Sequence, residues 1–133
     1  MVKQVKMPSQ KLSSNALQKY LGARPMVIAF TAPWCGHCTT LKEEYDHFHD
    51  AMKASMPHIV VARYDAAKHQ AELANFAKES HGTTLSQVVR SYPTIIYFEA
   101  QTDSSKPARA SMYQGKRTVE DMQRTAHAFF NNS

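Results

Sequence analysis

Met26-Val27-Ile28-Ala29-Phe30-Thr31, running through Ala32-Pro33 into Trp34-Cys35-Gly36-His37-Cys38, is the stretch on which the architecture turns. The apolar, β-branched first half reads as a buried strand. Beyond Pro33, Leu41, Tyr45, Phe48 and Met52 recur at spacings of three and four, the stripe of a helix from about Cys35 to Ala54 with one face in a core. A buried strand feeding a helix through a tight turn places Cys35 at the helix N-terminus. There, unpaired backbone N–H groups and the positive end of the dipole favour a thiolate over a thiol. Cys38 lies one turn on, on the same face and within disulfide reach. Both cysteines of the chain stand in this segment, so the predicted chemistry is redox: Cys35 attacks, and Cys38 resolves the mixed disulfide that Cys35 forms with another protein. Gly36 keeps the first turn open to an incoming sulfur, and His37 brings an imidazole that, protonated, is a cation beside the thiolate. Whatever stabilises the dithiol makes the disulfide a stronger oxidant, so the Gly-His pair points to donating or shuffling disulfides.

The segment Phe30 to Cys38 resembles the active site of protein disulfide isomerase catalytic domains, within the thioredoxin family, whose ordinary thioredoxins usually carry Pro where His37 stands. A second stretch, Val89-Arg90-Ser91-Tyr92-Pro93-Thr94-Ile95-Ile96-Tyr97-Phe98, resembles the loop and strand that hold a cis-proline against the cysteines. The resemblance covers residues 20 to 130 and is strongest at these two segments. It implies that Pro93 shapes a backbone edge where a substrate strand pairs. Trp34 reads either as a stacking platform for substrate or as packing for the active-site turn, and Tyr92 either as shaping the substrate groove or as filling space before Pro93. The resemblance also implies a role for Arg90, matched to an arginine that lowers the pKa of the resolving cysteine. One position departs: where disulfide isomerases have a buried Glu and thioredoxins an Asp, this chain has Ala29. The basic partner of that acid is matched by Arg63, expected to carry its head to solvent or to face the underside of the cysteine pair.

Outward from these segments, Val2 to Lys6 reads as an opening strand. Ser13-Ser14-Asn15 supplies caps for a helix through Leu21 that Gly22 stops. Ile59 to Tyr64 reads as a strand parallel to the first, and Ala66 to Glu79 as a helix with Ala71, Leu73, Ala74 and Ala77 on its apolar face. Lys78 to Val88, longer than is usual in the family, is polar and Gly-broken and reads as a surface loop. Thr94 to Glu99 and Ala110 to Tyr113 form an antiparallel hairpin across a polar loop at Gln101 to Pro107. Thr118, with Asp121 three residues on, caps a last helix holding Val119, Met122, Ala126 and Phe129. The expected fold class is α/β, a thioredoxin fold with a central mixed β-sheet and helices on both faces, in one domain over residues 1–133.

Composition narrows the function classes. With 43% hydrophobic residues the chain can bury a real core, and no apolar run approaches the roughly 18 residues of a membrane span. The formal charge is +5, but its 16 basic residues are scattered in short pairs such as Lys116-Arg117, which argues against nucleic acid. A lone C-x-x-C lacks the second pair a structural zinc site needs. His47 and His49 point to different sides of a helix, and His58, His69, His81 and His127 are dispersed, so neither a metal nor another cofactor is expected. Expected partners are cysteine-containing protein substrates and a redox recycling partner, acting on a monomer. The N-terminus lacks the apolar core of a signal peptide, which reads as cytoplasmic and conflicts with an oxidising motif. Two rival functions use the same residues: a thioredoxin-like reductant, and a non-catalytic module that holds a client chain. Replacing His37 by Pro is expected to make the Cys35–Cys38 disulfide less oxidising by part of the roughly 90 mV that separates thioredoxin from disulfide isomerase. Equilibration with glutathione measures it, and an unchanged or higher potential would place the tuning elsewhere.

Overall fold

A computed structural model of the protein describes residues 10–68, 73, 77–78, 83–101 and 109–131. The elements run β1 (Gln10–Lys11), α1 (Ser14–Tyr20), β2 (Met26–Thr31), α2 (Gly36–Ser55), β3 (Val60–Asp65), β4 (Ala77–Lys78), β5 (Thr83–Thr84), α3 (Leu85–Val88), β6 (Thr94–Phe98), β7 (Ala110–Met112) and α4 (Val119–Asn131). β2 is central. It pairs with β3 in parallel and with β6 antiparallel, and the whole sheet is ordered β1-β3-β2-β6-β7. This is the mixed sheet expected. The strand foreseen at Val2 to Lys6 and most of the loop at Gln101 to Pro107 lie outside the described residues.

Strand alternation sorts the apolar side chains into two cores. Met26, Ile28 and Phe30 of β2, with Ala62 and Tyr64 of β3 and Ile96 and Phe98 of β6, pack with Leu17 of α1 and with Leu73 and Leu85. Val27 and Ala29 face the other way, with Val61, Ile95 and Tyr97, against the predicted stripe Leu41, Tyr45, Phe48 and Met52 of α2 and against Met122, Ala126 and Phe129 of α4. Helices therefore cover both faces. α1 is capped by Ser13, whose hydroxyl accepts the Ala16 N–H at 3.1 Å, and the chain leaves it through Gly22 at φ 83°, a left-handed conformation that favours glycine. At α4, Thr118 Oγ1 accepts the Asp121 N–H at 3.3 Å. Glu44 of α2 accepts the Val119 N–H at 3.2 Å, fixing the start of α4 beside α2.

Two readings need correction between β3 and β6. The helix expected over Ala66 to Glu79 does not start at Ala66: residues 66–68 form a turn in which Asp65 Oδ1 accepts the Lys68 N–H at 2.8 Å, an Asx-type bond that competes with helix initiation. Its far end is not helical either, because Ala77–Lys78 pairs antiparallel with Thr83–Thr84. The stretch Lys78 to Val88 is correspondingly more than a surface loop. It carries a strand and the short helix α3, and it sinks Leu85, fully buried, into the core with Leu73.

Tyr45 ties α2 to the sheet. Its buried hydroxyl lies 2.8 Å from the carbonyl oxygen of Ala62 and 3.1 Å from that of Val27, its one proton shared between an acceptor on each central strand. Tyr45→Phe keeps the ring and removes the donor, leaving buried carbonyls short of a partner at a cost of about 1–2 kcal/mol. Urea unfolding of the two proteins checks this; an unchanged midpoint would show that the hydroxyl does not anchor α2.

Candidate active site

Cys35 is the N-cap of α2. Its extended backbone (φ −89°, ψ 116°) turns the sulfur back over the first turn, where it accepts the Cys38 N–H at 3.3 Å. A sulfur here does what a Ser or Asp oxygen does at other caps, with the added effect that a negative charge on it is favoured. From the opposite side comes the loop before β6. The Tyr92–Pro93 peptide bond is cis, and the Cys35 thiol donates to the Tyr92 carbonyl oxygen at 3.4 Å. Two segments 57 positions apart thus meet on one sulfur.

The two thiols are pushed in opposite directions. Cys35 is held below the ordinary thiol range, first by a hydrogen bond from the Cys38 side chain, then by the backbone N–H groups of Cys38 and His37 and the charge of Arg117; partial desolvation opposes them. Cys38 is pushed up to about 11, first by burial and then by the hydrogen bond it gives to Cys35. Whole-residue exposure does not distinguish them. The residues are 7% and 8% accessible, clustered with Ala32 and with Ala67 and Tyr92 packed against them. Burial of the Cys38 thiol, with the hydrogen bonds and charge around Cys35, separates resolving thiol from nucleophile.

The other predicted residues fall around this pair. Gly36 is exposed, and a Cβ on it would meet nothing within 4 Å, so the approach to Cys35 over the first turn is open. The side chain of His37 is exposed, and it is the residue's backbone N–H that reaches Cys35. Trp34, 72% accessible, meets the half-buried Tyr92 edge-on with ring centres 5.6 Å apart at 79°, and Pro93 is buried beside them. Arg90 is exposed, three residues before Pro93. The cation whose field reaches both sulfurs is Arg117, in the loop between β7 and α4. The sequence reading missed it because Lys116-Arg117 looked like one more scattered basic pair; the signal was its place just ahead of a capped helix that docks on α2.

Under α2, in-register pairing sets Lys11 of β1, Arg63 of β3, Ala29 of β2 and Ile95 of β6 in one row across the sheet. Arg63 is half-buried and, with Ala29 and Cys38, lines a cavity of about 160 Å³. Among the described residues, no three His, Cys, Asp or Glu side chains are grouped to hold a metal ion, and no helix is long and apolar enough to cross a membrane.

Comparison with known proteins gives a consistent result. The sequence profile of the Thioredoxin family matches residues 8–128. Protein disulfide-isomerase 1 of Caenorhabditis elegans is 35% identical over 106 residues, 80% of this chain and 18% of the relative. The protein disulfide-isomerase of Oryctolagus cuniculus is 32% identical over 110 residues, 83% of this chain and 19% of the relative. The chain therefore spans about a fifth of the length of these relatives. Among solved structures, the Trx4 domain of ERdj5 superposes with a TM-score of 0.74 over 96% of this chain and 99% of that one, at 14% identity. Human ERp44 gives 0.70 over 95% and 30%, at 19% identity.

The opposed shifts of the sulfurs set a pH dependence. At neutral pH, Cys35 is expected to be alkylated by iodoacetamide far faster than Cys38, whose rate keeps climbing with pH and levels off only near 11. Arg117→Gln removes a charge that favours both thiolates and should slow alkylation of Cys35. Equal rates at the two cysteines, read by peptide mass spectrometry, would contradict the assignment.

Proposed function

Because the chain belongs to the thioredoxin family of thiol-disulfide oxidoreductases, we propose that it is an enzyme of disulfide-isomerase type, exchanging and rearranging disulfides in cysteine-containing proteins. The observation that carries the reading is the Cys35 sulfur itself, held between the N–H groups that favour its thiolate and the Tyr92–Pro93 edge beside which a substrate strand fits. The Cys35 thiolate attacks one sulfur of a substrate disulfide; that bond breaks, and one substrate thiolate leaves. Cys38 then loses its proton and attacks Cys35, closing the Cys35–Cys38 disulfide and releasing the second substrate thiolate. The reverse sequence donates a disulfide. A redox partner that resets the pair completes either cycle, and no bound cofactor takes part.

Cys38, with its pKa raised to about 11, favours isomerisation over simple reduction. A resolving thiol that stays protonated prolongs the mixed disulfide, giving another substrate thiol time to attack in its place. Trp34 and Tyr92 offer an exposed aromatic surface next to Cys35, which suits apolar side chains flanking a substrate cysteine.

Incubating a scrambled disulfide protein with two variants tests the roles. Cys38→Ser should accumulate mixed disulfides on a non-reducing gel, and Cys35→Ser should accumulate none. Trapping by both variants would overturn the division of labour between the two sulfurs.

A further inference from the structure

The 16 basic residues scatter along the sequence, but the fold gathers several of them around the dithiol. Lys68 follows Ala67, which packs against the cluster of Cys35 and Cys38. Arg90 stands two residues before Tyr92, whose carbonyl oxygen accepts the Cys35 thiol at 3.4 Å. Arg117, with Lys116 beside it in the chain, is close enough that its field reaches both sulfurs. All four residues are exposed, and among the described residues none of them pairs with a carboxylate. Only two acidic residues, Asp65 and Glu120, lie within three positions of any of them in the sequence. Asp65 is buried and accepts the Lys68 N–H at 2.8 Å. Farther along α4, Asp121 pairs with Arg124, and on α2 Glu44 accepts the Val119 N–H. Exposed Glu120 is therefore the counter-charge left on these three segments, against four cations.

We propose that this basic rim selects acidic clients, protein disulfides whose cysteines are flanked by Asp or Glu. The selection rests on the disulfide-exchange reading above and adds a substrate class to it. An attacking thiolate is negatively charged, and acidic flanks on the client repel it as the two approach. Cations brought to the sulfur from three segments offset that repulsion and draw the flanks in, which acts chiefly on the rate of association and on its salt dependence. The exchange step itself is unchanged: the Cys35 thiolate bonds to one client sulfur, the client S–S bond breaks, and the other client sulfur leaves as a thiolate. Trp34 and Tyr92 present their aromatic surface at the same edge, so the favoured client carries an apolar side chain close to its cysteine and carboxylates beyond it. A nucleic acid would meet the charge but offers Cys35 no sulfur.

Short peptides that carry one cysteine as a mixed disulfide with 2-thiopyridine test this on the reduced full chain at neutral pH, with Asp, Gln or Lys flanking the cysteine on both sides. Attack by Cys35 on the peptide sulfur releases pyridine-2-thione, followed by its absorbance, and dithiothreitol gives the intrinsic rate of each peptide. After division by that rate, the Asp peptide should react faster than the Lys peptide by roughly tenfold at low salt. The advantage should vanish in about 1 M salt, where the screening length falls to about 3 Å. Lys68→Gln, Arg90→Gln and Arg117→Gln should each lower the Asp-to-Lys ratio by roughly twofold, the worth of one exposed charge. The ratio cancels any change that Arg117→Gln makes in the reactivity of Cys35, because the same thiolate meets both peptides. Lys53→Gln, at an exposed position in the last turn of α2, removes the same net charge and should leave the ratio unchanged. An Asp-to-Lys ratio near one at low salt overturns the proposal alone, as does a fall as large in Lys53→Gln as in the rim variants. Thione release no faster than by dithiothreitol from all three peptides overturns the oxidoreductase reading and the proposal with it.

Discussion

The hydrogen bond from the Cys38 N–H to the Cys35 sulfur, closed at the cap of α2, makes the start of a helix and the site of chemistry one place. A helix must satisfy its first N–H groups somehow. When the capping atom is a sulfur, that requirement becomes a force on its protonation, because the bond strengthens as the sulfur gains charge. The Cys38 thiol adds a second donor, and burial first, then the hydrogen bond it gives to Cys35, make it harder to ionise itself. One turn of helix thus produces two unlike thiols from identical side chains.

The sheet supplies the rest by placement. β2 delivers Cys35 from a strand buried on both faces, and β6, antiparallel beside it, brings Tyr92 and Pro93 to the same end of the sheet. Tyr45 and Glu44 fasten α2 to the strands and to α4, so the dithiol turn stands on a fixed base while Trp34 projects outward. Ala29, in the middle of the row with Lys11 and Arg63, packs fully buried against α2 beneath the dithiol turn.

The parts legible in the sequence were those written as local pattern. The stripe on α2, the caps at Ser13 and Thr118 and the spacing of Cys35 and Cys38 each state their structure within a few residues. Resemblance supplied the pairing of the Pro93 loop with the cysteines, a contact across 57 positions that no local pattern announces. What stayed hidden was set by longer-range or competing forces. Asp65 turned the chain with a side-chain bond where alanines suggested a helix. Leu85 was buried from within a polar stretch. Arg117 acts through space from a loop whose position depends on the docking of α4, and the low exposure of Cys35 comes from packing against Tyr92 and Ala67. Periodicity carries no trace of either.

If donors aimed at the Cys35 sulfur stabilise the reduced pair, the Cys35–Cys38 disulfide must be an oxidant, since closing it discards the charge those donors favour. Equilibrating the protein with defined glutathione mixtures and counting free thiols by mass gives its reduction potential. The account predicts a value nearer the about −180 mV of disulfide isomerase than the about −270 mV of thioredoxin. A potential at or below that of thioredoxin would contradict it.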